Sequence, residues 1–82
     1  MTLQQLKYVI AIADSGSVNS AAKNLYLSQP SLSSAVRELE EEIGFELFYR
    51  SNRGVTVTAE GEEFLNYARQ VCEQYILLED RF

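Results

Sequence analysis

Histidine and tryptophan are absent from this chain, and cysteine, proline and methionine occur once each. Each scarcity excludes a class of chemistry. With no histidine and only Cys72, there is no Cys/His set for zinc and no intrachain disulfide. No glycine-rich loop stands ready for a phosphate and no nucleophile is paired with a base, which argues against an enzyme. Glu40-Glu41-Glu42 is the densest run of acids. Consecutive helical residues point in different directions, however, so the run makes neither a metal site nor an acid/base pair. We expect no catalytic residue, no metal and no cofactor. No apolar run approaches the ~18 residues of a membrane span and no signal-peptide pattern opens the chain, so no membrane role and a cytoplasmic location are expected. Positive charge is scarce too: seven Lys and Arg stand against 12 Asp and Glu, a net charge of −5. A nucleic-acid binder is expected to be basic, and the sum alone speaks against one.

The distribution of charge reverses that inference. From Ser15 to Arg37 there is no acid, while Lys23 and Arg37 are basic. From Leu47 to Ala59 there is again none, while Arg50 and Arg53 are basic. The acids gather in Glu38, Glu40, Glu41, Glu42 and Glu46 and in the last third of the chain. Charges separated by more than a Debye length of ~8 Å are largely screened, so two acid-free basic windows can form one positive face on an acidic protein.

Eighty-two residues, 46% of them hydrophobic, make one small globular domain. Thr2-Leu3-Gln4-Gln5 has the form of a capping box and starts a helix whose apolar face is Leu3, Leu6, Val9, Ile10 and Ala13. Gly16 is placed to stop it, and Ser17 to cap a short second helix from Val18 to about Leu25. Its Ala21-Ala22 pair has little bulk, so another helix backbone can come close. Leu25-Tyr26-Leu27 is a tight turn into the next cap, Ser28. Helix, three-residue turn, helix is the helix-turn-helix arrangement, whose second helix lies in the major groove. Tyr8 and Tyr26 are expected at the edge of the core.

The helix after Ser28 has two faces. Pro30 fits its first turn, where a missing N–H costs nothing. Leu32, Ala35, Val36, Leu39 and Ile43 form one apolar stripe. Gln29, Ser31, Ser33, Ser34 and Arg37 form the other: small hydrogen-bonding groups and one cation, able to meet base edges and phosphates. Gly44 ends this helix, with Phe45 folding back as in a Schellman contact. Phe48-Tyr49-Arg50 and Val55-Thr56-Val57 are β-prone runs around the turn Ser51-Asn52-Arg53-Gly54. They predict a hairpin wing over 49–57 that offers Arg53 at its tip. In a wing, arginine can reach a narrow minor groove, and Arg50 suits a phosphate.

Thr58 is placed to cap a last helix carrying Phe64, Ala68, Val71, Tyr75, Leu78 and Phe82. The 4, 3, 4, 3, 4 spacing is that of an a/d seam, flanked by Leu65, Cys72 and Ile76. Cys72 is expected as a small core residue. The stripe is too long for so short a chain to cover, and a homodimer through this helix is expected. The pattern also runs to the last residue without a stop signal, as though the helix were cut midway.

Taken together, Ser20-Ala21-Ala22-Lys23-Asn24-Leu25, Leu27-Ser28-Gln29-Pro30-Ser31-Leu32-Ser33, Leu39-Glu40, Ile43-Gly44, Leu47-Phe48, Arg50, Arg53-Gly54 and Thr56-Val57-Thr58-Ala59-Glu60-Gly61 resemble the N-terminal domain of LysR-type transcriptional regulators. The resemblance covers essentially the whole chain. It implies a mainly α fold, a winged helix-turn-helix of three helices plus a two-stranded wing, followed by a long linker helix. The division would be 1–58 for the DNA-binding domain and 59–82 for the linker and dimerisation helix, with a C-terminal effector domain absent from this chain. It further implies a bacterial regulator acting on double-stranded DNA at an interrupted dyad operator. A small-molecule inducer would act only through the domain not present here. Family contacts to bases and backbone would fall on Gln29, Pro30, Ser31, Ser33 and Ser34, with Arg37 nearby, in a recognition helix over 28–43. Wing contacts would fall on Arg50 and Arg53. Position 34 is often larger or basic in the family and is serine here, so operator preference does not transfer. A winged helix reused for protein interaction is the rival reading, and the acidic total suits it.

Overall fold

The computed structural model describes residues 1–82, in the order α1 (Leu3–Ser15), α2 (Val18–Asn24), α3 (Gln29–Ile43), β1 (Phe48–Ser51), β2 (Gly54–Val57) and α4 (Ala59–Arg81). This is a winged helix-turn-helix with a long fourth helix. Every helix begins at a side-chain cap that supplies an acceptor for an orphan first-turn N–H. Thr2 accepts from Gln5 N–H and completes the capping box, Ser17 accepts from Ser20 N–H, Ser28 from Ser31 N–H, and Thr58 from Gly61 N–H. Helices α1 and α3 both stop at a left-handed glycine, Gly16 and Gly44.

The core is where α1, α2 and α3 cross. Val9, Ile12, Ala21, Ala22, Leu32, Val36, Leu39, Leu47, Phe48 and Leu65 are buried together. Each large side chain hidden there contributes ~1.5–3 kcal/mol before the entropy of ordering it is counted. The small Ala21-Ala22 pair lets α2 pack on both α1 and α3. Ile12 is fully buried although the predicted α1 face passes on either side of it. Ile10, Ala11, Ile12 and Ala13 are apolar without a break, so periodicity cannot choose among them.

The turn after α2 departs from expectation. Leu27 N–H donates to Ala22 O at 2.9 Å and Tyr26 N–H to Lys23 O at 3.2 Å, the paired bonds of a Schellman ending. Tyr26 takes the left-handed position at φ +57°, which glycine usually fills. This turns Leu25 and Leu27 onto the core and leaves Tyr26 between them 96% exposed, not at the core edge. Tyr8 does pack against the core.

Helix α4 corrects the second expectation. Leu65 belongs to the main core, and Ala68 and Cys72 are buried with Leu6 of α1 in a smaller cluster. Ala68, placed in the seam by its spacing, faces its own domain at 2% exposure. Phe64 is half-buried against both clusters, and Tyr75 lies under the Lys7 ammonium, 5.0 Å from the ring centroid. Residue 58 is therefore no packing boundary, since the first half of α4 completes the three-helix body. Arg69 donates to Asp14 Oδ1 at 2.8 Å, a further tie from α4 to α1 that holds the guanidinium pKa above its ordinary value. Val71, Ile76, Leu77, Leu78 and Phe82 are exposed. No helix of the structure is long and apolar enough to cross a membrane.

Ala68→Glu would put an unpaired carboxylate into the Leu6–Cys72 cluster. It is expected to lower the stability of the isolated domain by several kcal/mol, in the range of ~2–7 for an uncompensated buried polar group. Urea unfolding followed by circular dichroism measures this. A cost near zero would show that α1 and α4 do not hold each other.

Candidate nucleic-acid interface

The wing is positioned by three contacts. Phe48 pairs with Val57, Tyr49 with Thr56, Arg50 with Val55 and Ser51 with Gly54, leaving Asn52 and Arg53 as a two-residue tip. At the base, Thr58 N–H donates to Leu47 O at 3.0 Å. On its outer side, Val55 N–H donates to Gly16 O at 3.0 Å, so β2 rests on the corner between α1 and α2. Gly54 sits at φ +120°, and a Cβ there would overlap the Gly16 carbonyl oxygen. Glycine is required for close approach as much as for its backbone angle.

This places the wing tip beside the start of α3. Ser17, Val18, Asn19, Gln29, Arg50, Ser51, Asn52, Arg53, Gly54 and Val55 line a polar cleft of ≈ 350 Å³. No acid lines it. The two acid-free windows of the sequence thus meet in space, with the α2 start supplying Ser17 and Asn19. Neither is expected as a contact from sequence, where Ser17 is read only as a cap; both stand in the acid-free window, which is the available signal. Lys23, Arg37, Arg50 and Arg53 are all exposed. The two ion pairs of the molecule, Met1 ammonium with Glu42 and Arg69 with Asp14, use none of them. Four exposed cations without carboxylate partners leave an unneutralised positive surface on a protein of net charge −5.

The expected contact residues divide. Gln29, Pro30, Ser31, Ser34 and Arg37 are exposed along α3, and Arg50 and Arg53 along the wing. The Ser31 hydroxyl accepts from Ser28 Oγ at 2.8 Å, within the helix cap. Arg37 lies apart from the polar cleft, in a groove with Glu40, Glu41 and Arg50. Ser33 stands apart from them. It is only 4% exposed, and its Oγ accepts from Gln29 Nε2 at 2.8 Å and from Arg50 Nη1 at 3.4 Å. Its hydroxyl faces the protein, because one turn of α3 brings it under Gln29 and the wing closes over it.

The family model described as bacterial regulatory helix-turn-helix protein, lysR family, matches residues 3–62. The chain belongs to the LysR family. Among its relatives, the HTH-type transcriptional regulator TfdT of Cupriavidus pinatubonensis (strain JMP 134 / LMG 1197) is 45% identical over 71 residues, covering 87% of this chain and 31% of that protein. TcbR of Pseudomonas sp. (strain P51) is 44% identical over 73 residues, covering 89% of this chain and 25% of the relative. The chain therefore spans about a quarter to a third of the curated relatives it matches. Among solved structures, the CbnR DBD–DNA complex superposes with a TM-score of 0.93 at 42% identity, over 99% of this chain and 93% of that one. Full-length CbnR, a LysR family transcriptional regulator, gives 0.92 and covers 99% of this chain and 28% of its own. The four helices and two-stranded wing of this LysR-family chain are those the resemblance implied.

Gly54→Ala is expected to lift β2 from Gly16 and re-aim Arg53, at a cost of ~1–3 kcal/mol for the forced backbone. Backbone amide spectra should shift at 48–57 and at Gly16 while α3 signals hold. Unchanged wing signals would mean that the Gly16 contact does not set the wing.

Proposed function

We propose that this chain is the sequence-specific DNA-binding module of a LysR-type transcription regulator. The observation that carries the reading is the meeting of two acid-free windows, with Lys23, Arg37, Arg50 and Arg53 in neither ion pair of the molecule. Helix α3 would enter the major groove with Gln29, Pro30, Ser31 and Ser34 toward base edges and Arg37 toward the backbone. Arg50 would meet a phosphate, and Arg53 the backbone or a narrow minor groove. The solved CbnR DBD–DNA complex supports this reading at 42% identity. The relatives are named as transcriptional regulators, and no catalytic role is proposed. A small inducer would act through the further length the relatives have, and binding to the chromosome would place the protein in the cytoplasm. We assign 1–58 to DNA contact and 59–82 to linking and pairing, with α4 also completing the core.

Fluorescence anisotropy on a selected duplex and on random duplex tests this. Arg53→Ala should weaken both and reduce the log–log salt slope by about one unit. Gln29→Ala should cost ~1–3 kcal/mol on the selected site only, and Glu41→Ala, beyond the groove-facing turns, should change little. Affinity indifferent to salt and to Arg53 would sink the DNA reading and favour a protein partner, which the acidic total suits.

The second part of the proposal is a homodimer through α4. Val71, Leu78 and Phe82 are exposed and Tyr75 half-covered, on a stripe roughly a quarter-turn round the helix from the Leu65–Ala68–Cys72 face. Each large side chain buried in pairing is worth ~1.5–3 kcal/mol, set against an association cost of ~4–15 kcal/mol. Two-fold symmetry would then match an interrupted dyad. Val71→Glu with Leu78→Glu should yield a monomer by sedimentation equilibrium at micromolar concentration, with an unchanged unfolding curve for the domain. A pair of substitutions that leaves the dimer intact would exclude this stripe.

A further inference from the structure

One edge of the wing is closed and the other is open. Val55 N–H leaves the hairpin for Gly16 O, so Arg50 and Val55 are a pair whose backbone groups point away from each other. Alternation along the ladder puts Phe48 in the same class. The N–H and C=O of Phe48 and Arg50 therefore face outward along the free side of β1, which no third strand covers. That side borders a groove of ≈ 780 Å³ between β1 and the second half of α3. Phe45 and Phe48 give it an apolar lining, and its charges are graded. Arg50 turns to Ser33 at one end, while Glu40 receives Leu47 N–H at the other, so α3 runs past β1 from cation to carboxylate. Glu41 and Glu46 stand with Glu40 at the acidic end; both are exposed and enter neither ion pair of the molecule.

We propose that this groove docks an extended segment of a partner protein, added antiparallel to β1 as a third strand and carrying Lys or Arg toward the acidic end. An open edge offers main-chain bonds to any strand, and the neighbouring side chains decide which strand is accepted. Phe48 and Arg50 supply two donors and two acceptors for the pairing. Residues directly opposite one another share a face of the sheet. Phe48 points into the core and Arg50 to Ser33, so the segment's residues opposite them face α3. The one opposite Phe48 comes beside Glu40, Glu41 and Glu46, where a cation is attracted and a carboxylate repelled. The one opposite Arg50 is apolar or acidic for the converse reason. Residues between them lie on the solvent side with Tyr49, which is 62% exposed. The acids beside the open edge guard it against an acidic strand and invite a basic one.

The probe is an acetylated, amidated heptapeptide in which threonine and valine alternate, with lysine in place of the central valine. It is titrated into the 82-residue chain and followed by backbone amide spectra. Lysine and the two valines then face α3, and their N–H groups face β1. The amide signals of Phe48 and Arg50 should move most, with those of Glu41 and Glu46. A peptide with glutamate for lysine should leave the signals in place. N-methylation of the lysine and valines should abolish binding and N-methylation of the threonines should preserve it, because only the first set points at β1. Glu41→Gln with Glu46→Gln should weaken binding about fivefold, on the scale of exposed ion pairs, with an unchanged melting curve. No shift at millimolar peptide, shifts confined to the carboxylates of α4, equal binding of the glutamate peptide, or tolerance of methylated lysine overturns the proposal. Should the double variant melt early, the two methylated peptides decide alone. The titration contains no DNA, so its failure leaves the DNA reading standing, and failure of that reading leaves a measured peptide site in place.

Discussion

The Thr58 side chain is the knot on which the rest of this domain depends. Its hydroxyl accepts from Gly61 N–H at 2.9 Å, capping α4, and donates to Glu46 O at 2.7 Å in the loop leaving α3. Its own N–H closes the base of the wing on Leu47 O. Leu47 N–H in turn donates to the Glu40 carboxylate at 2.7 Å, so the last turn of α3 is held to the same loop. Gly61 must be glycine for all of this to fit, because a Cβ there would collide with Leu47 O and the Val57 side chain. Each polar atom named in the knot is partnered and Thr58 is buried at its centre, where a polar group left unpaired would cost ~1–3 kcal/mol. The recognition helix, the wing and α4 therefore move as one body.

Charge placement shows a compromise made for that body's surface. Glu40, Glu41 and Glu42 lie in the last turns of α3 with no cation among them, the unfavourable end of the helix dipole for acids. Local contacts offset this. The Met1 ammonium pairs with Glu42, Glu40 receives the Leu47 N–H, and Gln5 Nε2 donates to Ala35 O at 3.2 Å from α1. Holding acids at the far end of α3 keeps its first turns and the wing tip free of them. With screening over ~8 Å, that separation matters more to an approaching polyanion than the net charge does.

Much of this is legible in the sequence, and the reasons are local. Thr2, Ser17, Ser28 and Thr58 cap where they were read to cap, because capping is decided by residues within one turn. Gly16, Gly44 and the Ser51–Gly54 tip follow the same logic. The misreadings arose where a third element decides the outcome. Ser33 looks like surface until the wing covers it, and Tyr26 looks like core until the Schellman turn points its neighbours inward. Ala68 fits a heptad by spacing, yet α1 lies against that side of α4. Periodicity gives the angle of an apolar residue round its helix, never which neighbour occupies that angle.

Helix α4 carries two apolar stripes, and that has a geometric consequence for any partner it takes. The Leu65–Ala68–Cys72 stripe locks it to α1, the Arg69–Asp14 pair adds a second tie, and Thr58 pins its start beside the wing. The exposed stripe, led by Val71 and Leu78, is thereby held at a set direction from α3 within a single chain. A dimer built on it would inherit the spacing and tilt of its two recognition helices from monomer packing rather than from a flexible link. The requirement for a rigid α1–α4 contact and the requirement for a defined operator spacing are then one constraint. Small buried residues such as Ala68 serve both, because they bring the α4 backbone close enough to α1 to leave it no other orientation.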